Sequence, residues 1–103
     1  MEDILDKLDK ILENRKSSNS KDSYIAALYK KGNNHICNKV IEEASELVEA
    51  TKESENQIIH ESADLLFHVL VLLASHDIKY VRILEELESR FGTSGIEEKK
   101  NRK

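Results

Sequence analysis

The sequence predicts an all-α protein, a bundle of four to five helices. Three observations carry this. The chain has no proline and only three glycines, so few positions are given to turns and nothing breaks a long helix. Aromatic residues make up 5% and charged residues 35%, which suits helices with one wet face and argues against a β-sandwich. Apolar residues recur at helical spacing in every long segment. At 103 residues a single domain over 1–103 is expected, with a thin core that oligomerisation commonly supplements.

The N-terminal helix lies within 1–16, where Ile4, Leu5, Leu8, Ile11 and Leu12 share one face. A polar connector follows over 17–22. The second helix spans about 23–31, with Gly32 placed to end it. Asn33 or Asn34 is expected to cap the third, which runs to about residue 52. Ser54 and Gln57 form a capping box for the fourth, which ends near residue 76. Asp77 is expected to cap a fifth over 78–91, stopped by Gly92. The polar remainder, 93–103, is expected to be a flexible tail.

Composition also excludes. A net charge of −4 gives no reason to expect a nucleic-acid partner. The lone Cys37 rules out an intrachain disulfide framework and fits a reducing, cytoplasmic setting. The N-terminus has no apolar core of signal-peptide type. The longest apolar run, 65–74, is broken by His68 and is too short for a bilayer, so no membrane role is expected.

On a wheel of about 100° per residue, Ile36, Cys37, Val40, Ile41, Ala44, Leu47, Val48 and Thr51 form the broad apolar face of helix three. Lys39, Glu43 and Glu46 border that face. Glu43 is flanked by Val40 and Leu47 and should be partly buried, while Glu42 and Glu49 point further toward water. On helix four, Gln57, Glu61, Asp64 and His68 form one stripe, and the rest of the circumference is apolar from Ser62 onward. Such a helix is central or lies at a subunit interface, so Asp64 is expected in a low dielectric.

The turn between these helices is short, so they run antiparallel. Glu43 and Glu46 lie as far before it as Glu61 and Asp64 lie after it, which brings four carboxylates to one level. Charges so placed either raise their pKa values or hold a cation. An oxygen-only set points to Mg²⁺, with Mn²⁺ as the alternative, and away from zinc. The plainer reading is solvated glutamates on a chain with 20 acidic residues, for which EExxE alone is a weak signal. The matching ExxD at the same height on an apolar helix favours the metal. Lys39, one turn before Glu43, is placed to face phosphate.

His68 is expected as a core histidine bonded near Asp64. His35, His60 and His76 show no zinc spacing, and Cys37 reads as a small core residue. Tyr24 and Tyr29 are open to packing or stacking.

EExxE followed by ExxD on an antiparallel hairpin resembles the MazG-like all-α NTP pyrophosphatase superfamily. Within it, "SYIAALYKKG", "KVIEEASELV", "ESADLLFHVLVLLA" and "LEELESRFGTSGIEEKKNRK" are most similar to phosphoribosyl-ATP pyrophosphohydrolase, over nearly the whole chain. Ile41 stands where that family usually has glycine. The resemblance implies hydrolysis of phosphoribosyl-ATP to phosphoribosyl-AMP and pyrophosphate, the second step of histidine biosynthesis. It implies the stand-alone form, without a fused cyclohydrolase. It implies Glu43, Glu46, Glu61 and Asp64 as Mg²⁺ ligands, with Glu42 supporting or orienting water. The catalytic set is then Glu42, Glu43 and Glu46, and Lys39, Lys31 and Lys30 would bind phosphate oxygens. A homodimer or higher homo-oligomer sharing helices is expected. Two alternatives are a house-cleaning pyrophosphatase of free NTPs or dNTPs and a non-catalytic helical interaction module.

Overall fold

The computed structural model describes residues 3–19, 21 and 23–91. Five α-helices and no strand occur among them. The expected tail (93–103) and the Gly92 stop lie outside the described residues.

Helix α1 (Ile4–Asn14) starts at Asp3, whose carboxylate accepts from the Leu5 N–H at 2.8 Å. It tightens into a 3₁₀ turn at Arg15–Ser17. Helix α2 (Tyr24–Lys31) opens on Ser23, whose hydroxyl accepts from the Ala26 N–H at 3.2 Å. Lys30 and Lys31 occupy its last turn, where positive charge suits the exposed carbonyls. Gly32 closes α2, donating its N–H to Leu28 and Tyr29, and its carbonyl accepts the Ile36 N–H of α3. Its φ of 97° lies in the left-handed region that only glycine enters freely.

Helix α3 (Asn33–Ala50) therefore begins directly at this corner. Neither Asn33 nor Asn34 caps it: both are already helical, and the N-cap is Gly32, which has no side chain. Ser54 caps α4 (Glu55–Ser75), accepting from the Gln57 N–H at 3.2 Å. Asp77 does not cap α5 (Tyr80–Ser89), which starts two residues later than expected. Its carboxylate instead pairs with Lys16 at 2.6 Å, and its φ of 60° turns the chain out of α4.

The core gathers at one end of the molecule. Leu12, Leu28, Ile36, Leu70, Val71 and Ala74 meet there, one or more from each of α1 to α4. Tyr29 donates its hydroxyl to the Leu12 carbonyl at 2.9 Å, joining α2 to α1. Tyr80 donates to Asp6, which ties the start of α5 to α1.

One expectation changes here. Ile41 and Val48 do not complete a buried face on α3; they are 65% and 64% exposed. On α4, Ile59 and Leu66 are likewise 60% and 51% exposed. One helix cannot bury all sides against a single neighbour, and α4 has α3 along one flank and α1 only near the core. By length and composition alone α4 is also apolar enough to cross a membrane, which the shorter run 65–74 did not suggest. It carries the stripe of carboxylates and His68, and packs along α3.

Candidate functional site

Away from the core, toward the α3–α4 turn, the helices carry acids. Glu43 is buried, with 6% of its surface exposed. Glu43, Glu46 and Glu61 each offer a carboxylate oxygen within 4.8 Å of the others. The antiparallel hairpin thus brings together three of the four expected ligands. Asp64 belongs to a second group, with Glu61 and His60, whose donor atoms also lie within 4.8 Å of one another. Glu61 is common to both.

Two expectations need adjusting. Glu46 is exposed rather than turned inward, and only its carboxyl reaches the group. The Asp64 side chain is 41% exposed, since the α4 face beside it is open in the single chain. Glu42 does point outward, as the wheel indicated. Ile41, where the family usually has glycine, is exposed.

The electrostatics follow the geometry. Burial pushes the Glu43 carboxyl above its usual range; hydrogen bonding to Glu46 and its charge add to this, His68 opposes it, and Asp64 reinforces it. Glu61 is raised in the same way, first by desolvation and then by Glu46 and Asp64, with His60 opposing. Glu43 Oε2 and Glu61 Oε2 are both buried with no hydrogen-bond partner. Acceptor-only oxygens without donors are costly in a protein interior. A hard divalent cation supplies what they lack, so the donor set fits one.

Lys39 borders the acids. Its ammonium lies 3.7 Å from Glu43 Oε1 and 3.5 Å from Glu42 Oε2. Burial works against its charge, but Tyr24, Glu42 and Glu43 outweigh that and raise its pKa. Lys30 lines a different groove, with Lys16, Ser18, Ala26 and Tyr29. Lys31 is exposed at the end of α2. A cavity of about 540 Å³ lies between α1 and the residues around Asp77, and none of Glu43, Glu46, Glu61 and Asp64 lines it. Beside the acids is a shallow groove of about 270 Å³, lined by Ser45, Glu46, Glu49, Glu53 and Glu61.

His68 is the buried histidine expected. Its Nδ1 lies 2.8 Å from the Asp64 backbone carbonyl and its Nε2 3.0 Å from the Tyr24 hydroxyl. Reading from sequence missed two residues. His60, with Nε2 3.3 Å from Asp64 Oδ2, was detectable from its i,i+4 spacing. Tyr24 carried no such signal, because its partner is 44 positions away on another helix.

A family model described as phosphoribosyl-ATP pyrophosphohydrolase matches residues 5–91. The phosphoribosyl-ATP pyrophosphatase of Vesicomyosocius okutanii subsp. Calyptogena okutanii is 50% identical over 103 residues, covering 99% of this chain and 98% of that protein. That of Hydrogenovibrio crunogenus is 48% identical, over 97% of this chain and 93% of its own length. The histidine biosynthesis bifunctional protein HisIE of Helicobacter hepaticus is 52% identical over 97% of this chain, a match that takes up 44% of the larger protein.

Proposed function

The chain belongs to the phosphoribosyl-ATP pyrophosphohydrolase family, and from that premise we propose that it cleaves phosphoribosyl-ATP to phosphoribosyl-AMP and pyrophosphate at the acids between α3 and α4. It is a hydrolase of a phosphoric anhydride in histidine biosynthesis. The observation that carries the siting is the pair of orphaned buried oxygens on Glu43 and Glu61.

We assign Glu43, Glu46, Glu61 and Asp64 as the residues that hold Mg²⁺, with Mn²⁺ a substitute. When bound, such an ion neutralises charge on phosphate oxygens and lowers the pKa of a water. Lys39 sits where it can leave Glu42 and Glu43 for a phosphate oxygen, which offers a charge-assisted hydrogen bond. Glu42, freed of Lys39, is then a carboxylate at the rim, suited to accept the proton of an attacking water. Lys30, which lines a separate groove, and Lys31, exposed in the last turn of α2, are kept as phosphate-binding candidates that attract an anionic substrate.

The exposed apolar residues of α3 and α4 support a homodimer, in which a second copy covers Ile41, Val48, Ile59 and Leu66. That cover also accounts for α4 without a bilayer. The lone Cys37 thiol suits a reducing, cytoplasmic location.

The test is release of pyrophosphate from phosphoribosyl-ATP in the presence of Mg²⁺, with and without a chelator. Faster turnover of dCTP or dUTP would move the chain to house-cleaning pyrophosphatases. Turnover unaffected by the chelator would remove the metal assignment.

A further inference from the structure

A basic groove lies apart from the acids. It holds about 400 Å³ and is lined by Lys16, Ser18, Ala26, Tyr29 and Lys30, with no carboxylate among them. Ala26 and Tyr29 stand one turn before Lys30 on α2, so the three share a face, and Ala26 offers only a methyl group there. Among the described residues no carboxylate pairs with the Lys30 ammonium, so its N–H groups are open to a ligand. Lys16 is held by Asp77 at 2.6 Å and by Glu13 at 3.0 Å, which leaves one of its three hydrogens. The Ser18 hydroxyl is a further donor. The Tyr29 hydroxyl is committed to the Leu12 carbonyl and fixes the wall of the groove between α1 and α2. Two ammonium groups and a hydroxyl, with no carboxylate in the lining, suit a phosphate monoester.

Helix α2 spans from this groove to the acids. Its first residue, Tyr24, has its hydroxyl 3.0 Å from Nε2 of His68, which lies one turn beyond Asp64 on α4. Lys30 is about 9 Å further along the helix axis. Phosphoribosyl-ATP has phosphate at two ends: the triphosphate on one sugar, and a single phosphate on the other, with the adenine between. Resting on the proposed function, we propose that the groove is the subsite for that single phosphate, with Lys30, Lys16 and Ser18 donating to its oxygens while the anhydride lies at the acids. Free NTPs and dNTPs lack this phosphate, and a site whose donors are left unpaired by a competitor discriminates against it.

The experiment compares kcat/KM for phosphoribosyl-ATP with that for ribosyl-ATP, the analogue lacking only the single phosphate, in the wild-type chain and in Lys30→Met. The variant keeps a helix-forming side chain of similar length at an exposed position, and a circular dichroism melt checks its fold. Lys30→Met should lower kcat/KM for phosphoribosyl-ATP by about 10-fold, the loss expected for one hydrogen bond to a charged group. For ribosyl-ATP it should change little, so that the wild-type preference for the phosphorylated substrate shrinks. An equal loss on both substrates would make Lys30 a general attractant or a helix-end charge and overturn the assignment, as would no loss on either. A wild-type chain inactive on phosphoribosyl-ATP overturns the functional reading first, and this one with it.

Discussion

Glu43 shows how one residue can be both a weakness and a function. It is buried, its Oε2 has no donor, and its carboxyl is held above the usual range by burial and by Glu46. A carboxyl whose folded pKa exceeds its unfolded value of about 4.5 favours the fold most when protonated. That contribution is complete below the unfolded value and is lost as pH rises through the raised folded value. Without divalent ions, the gap in melting temperature between Glu43→Gln and wild type should therefore widen in favour of the variant from pH 4.5 to pH 8. Added Mg²⁺ should narrow it by stabilising only the wild type. A gap that stays constant with pH would mean that Glu43 is not desolvated. In the same variant, activity should fall by at least about 100-fold, the upper end of what is lost when merely a supporting partner of a ligand is removed. A pyrophosphate assay reads this directly. That Glu43 would be inward and Glu42 outward was legible from the wheel, because both follow from azimuth on a single helix. The chain of Tyr24 to His68 was not legible, since it depends on how α2 rolls against α4.

At the scale of the element, helix boundaries were legible where a local side chain sets them. Ser54 caps the helix that its position announced, while Ser23, read as the first residue of its helix, is the cap one place before it. The failures came where a residue is engaged elsewhere. Asp77 is drawn to Lys16, which is 61 positions away, and so leaves α5 without a side-chain cap. The pair is mutual: the Lys16 hydrogen bond holds the Asp77 carboxyl below its usual range. Asp77→Ala removes the partner while keeping a side chain at positive φ, so trypsin should cut at Arg82 sooner than in wild type. Unchanged cleavage would show that the ion pair does not hold the α4–α5 corner. At Gly32 the backbone itself is the constraint. A Cβ there meets nothing within 4 Å, so Gly32→Ala tests φ alone. It should cost about 1–2 kcal/mol in urea unfolding. No measurable loss would mean that the α2–α3 corner relaxes to another conformation.

The whole molecule is open for its size. Its radius of gyration is 16.0 Å, against about 13 Å for a compact domain of 100 residues. The extra extent comes from helices with one covered side: α5 has no buried residue, and Val81, Ile83, Leu84 and Leu87 are all exposed. The sequence hinted at this through an α4 that was apolar all round, but periodicity within one chain cannot say which face waits for a second. On the proposed pairing, Leu66→Asp should yield a monomer in analytical ultracentrifugation where the wild type sediments as a dimer. A wild-type monomer at micromolar concentration would refute the pairing.

The uncovered sides of α3 and α4 flank the same helical turns that carry the acids. If a second copy steadies those turns, the rate per chain cannot be independent of how much protein is in the tube. Progress curves started from a concentrated stock and run at nanomolar enzyme should bend downward over minutes as copies part, and an excess of an inactive Glu43→Gln chain should straighten them.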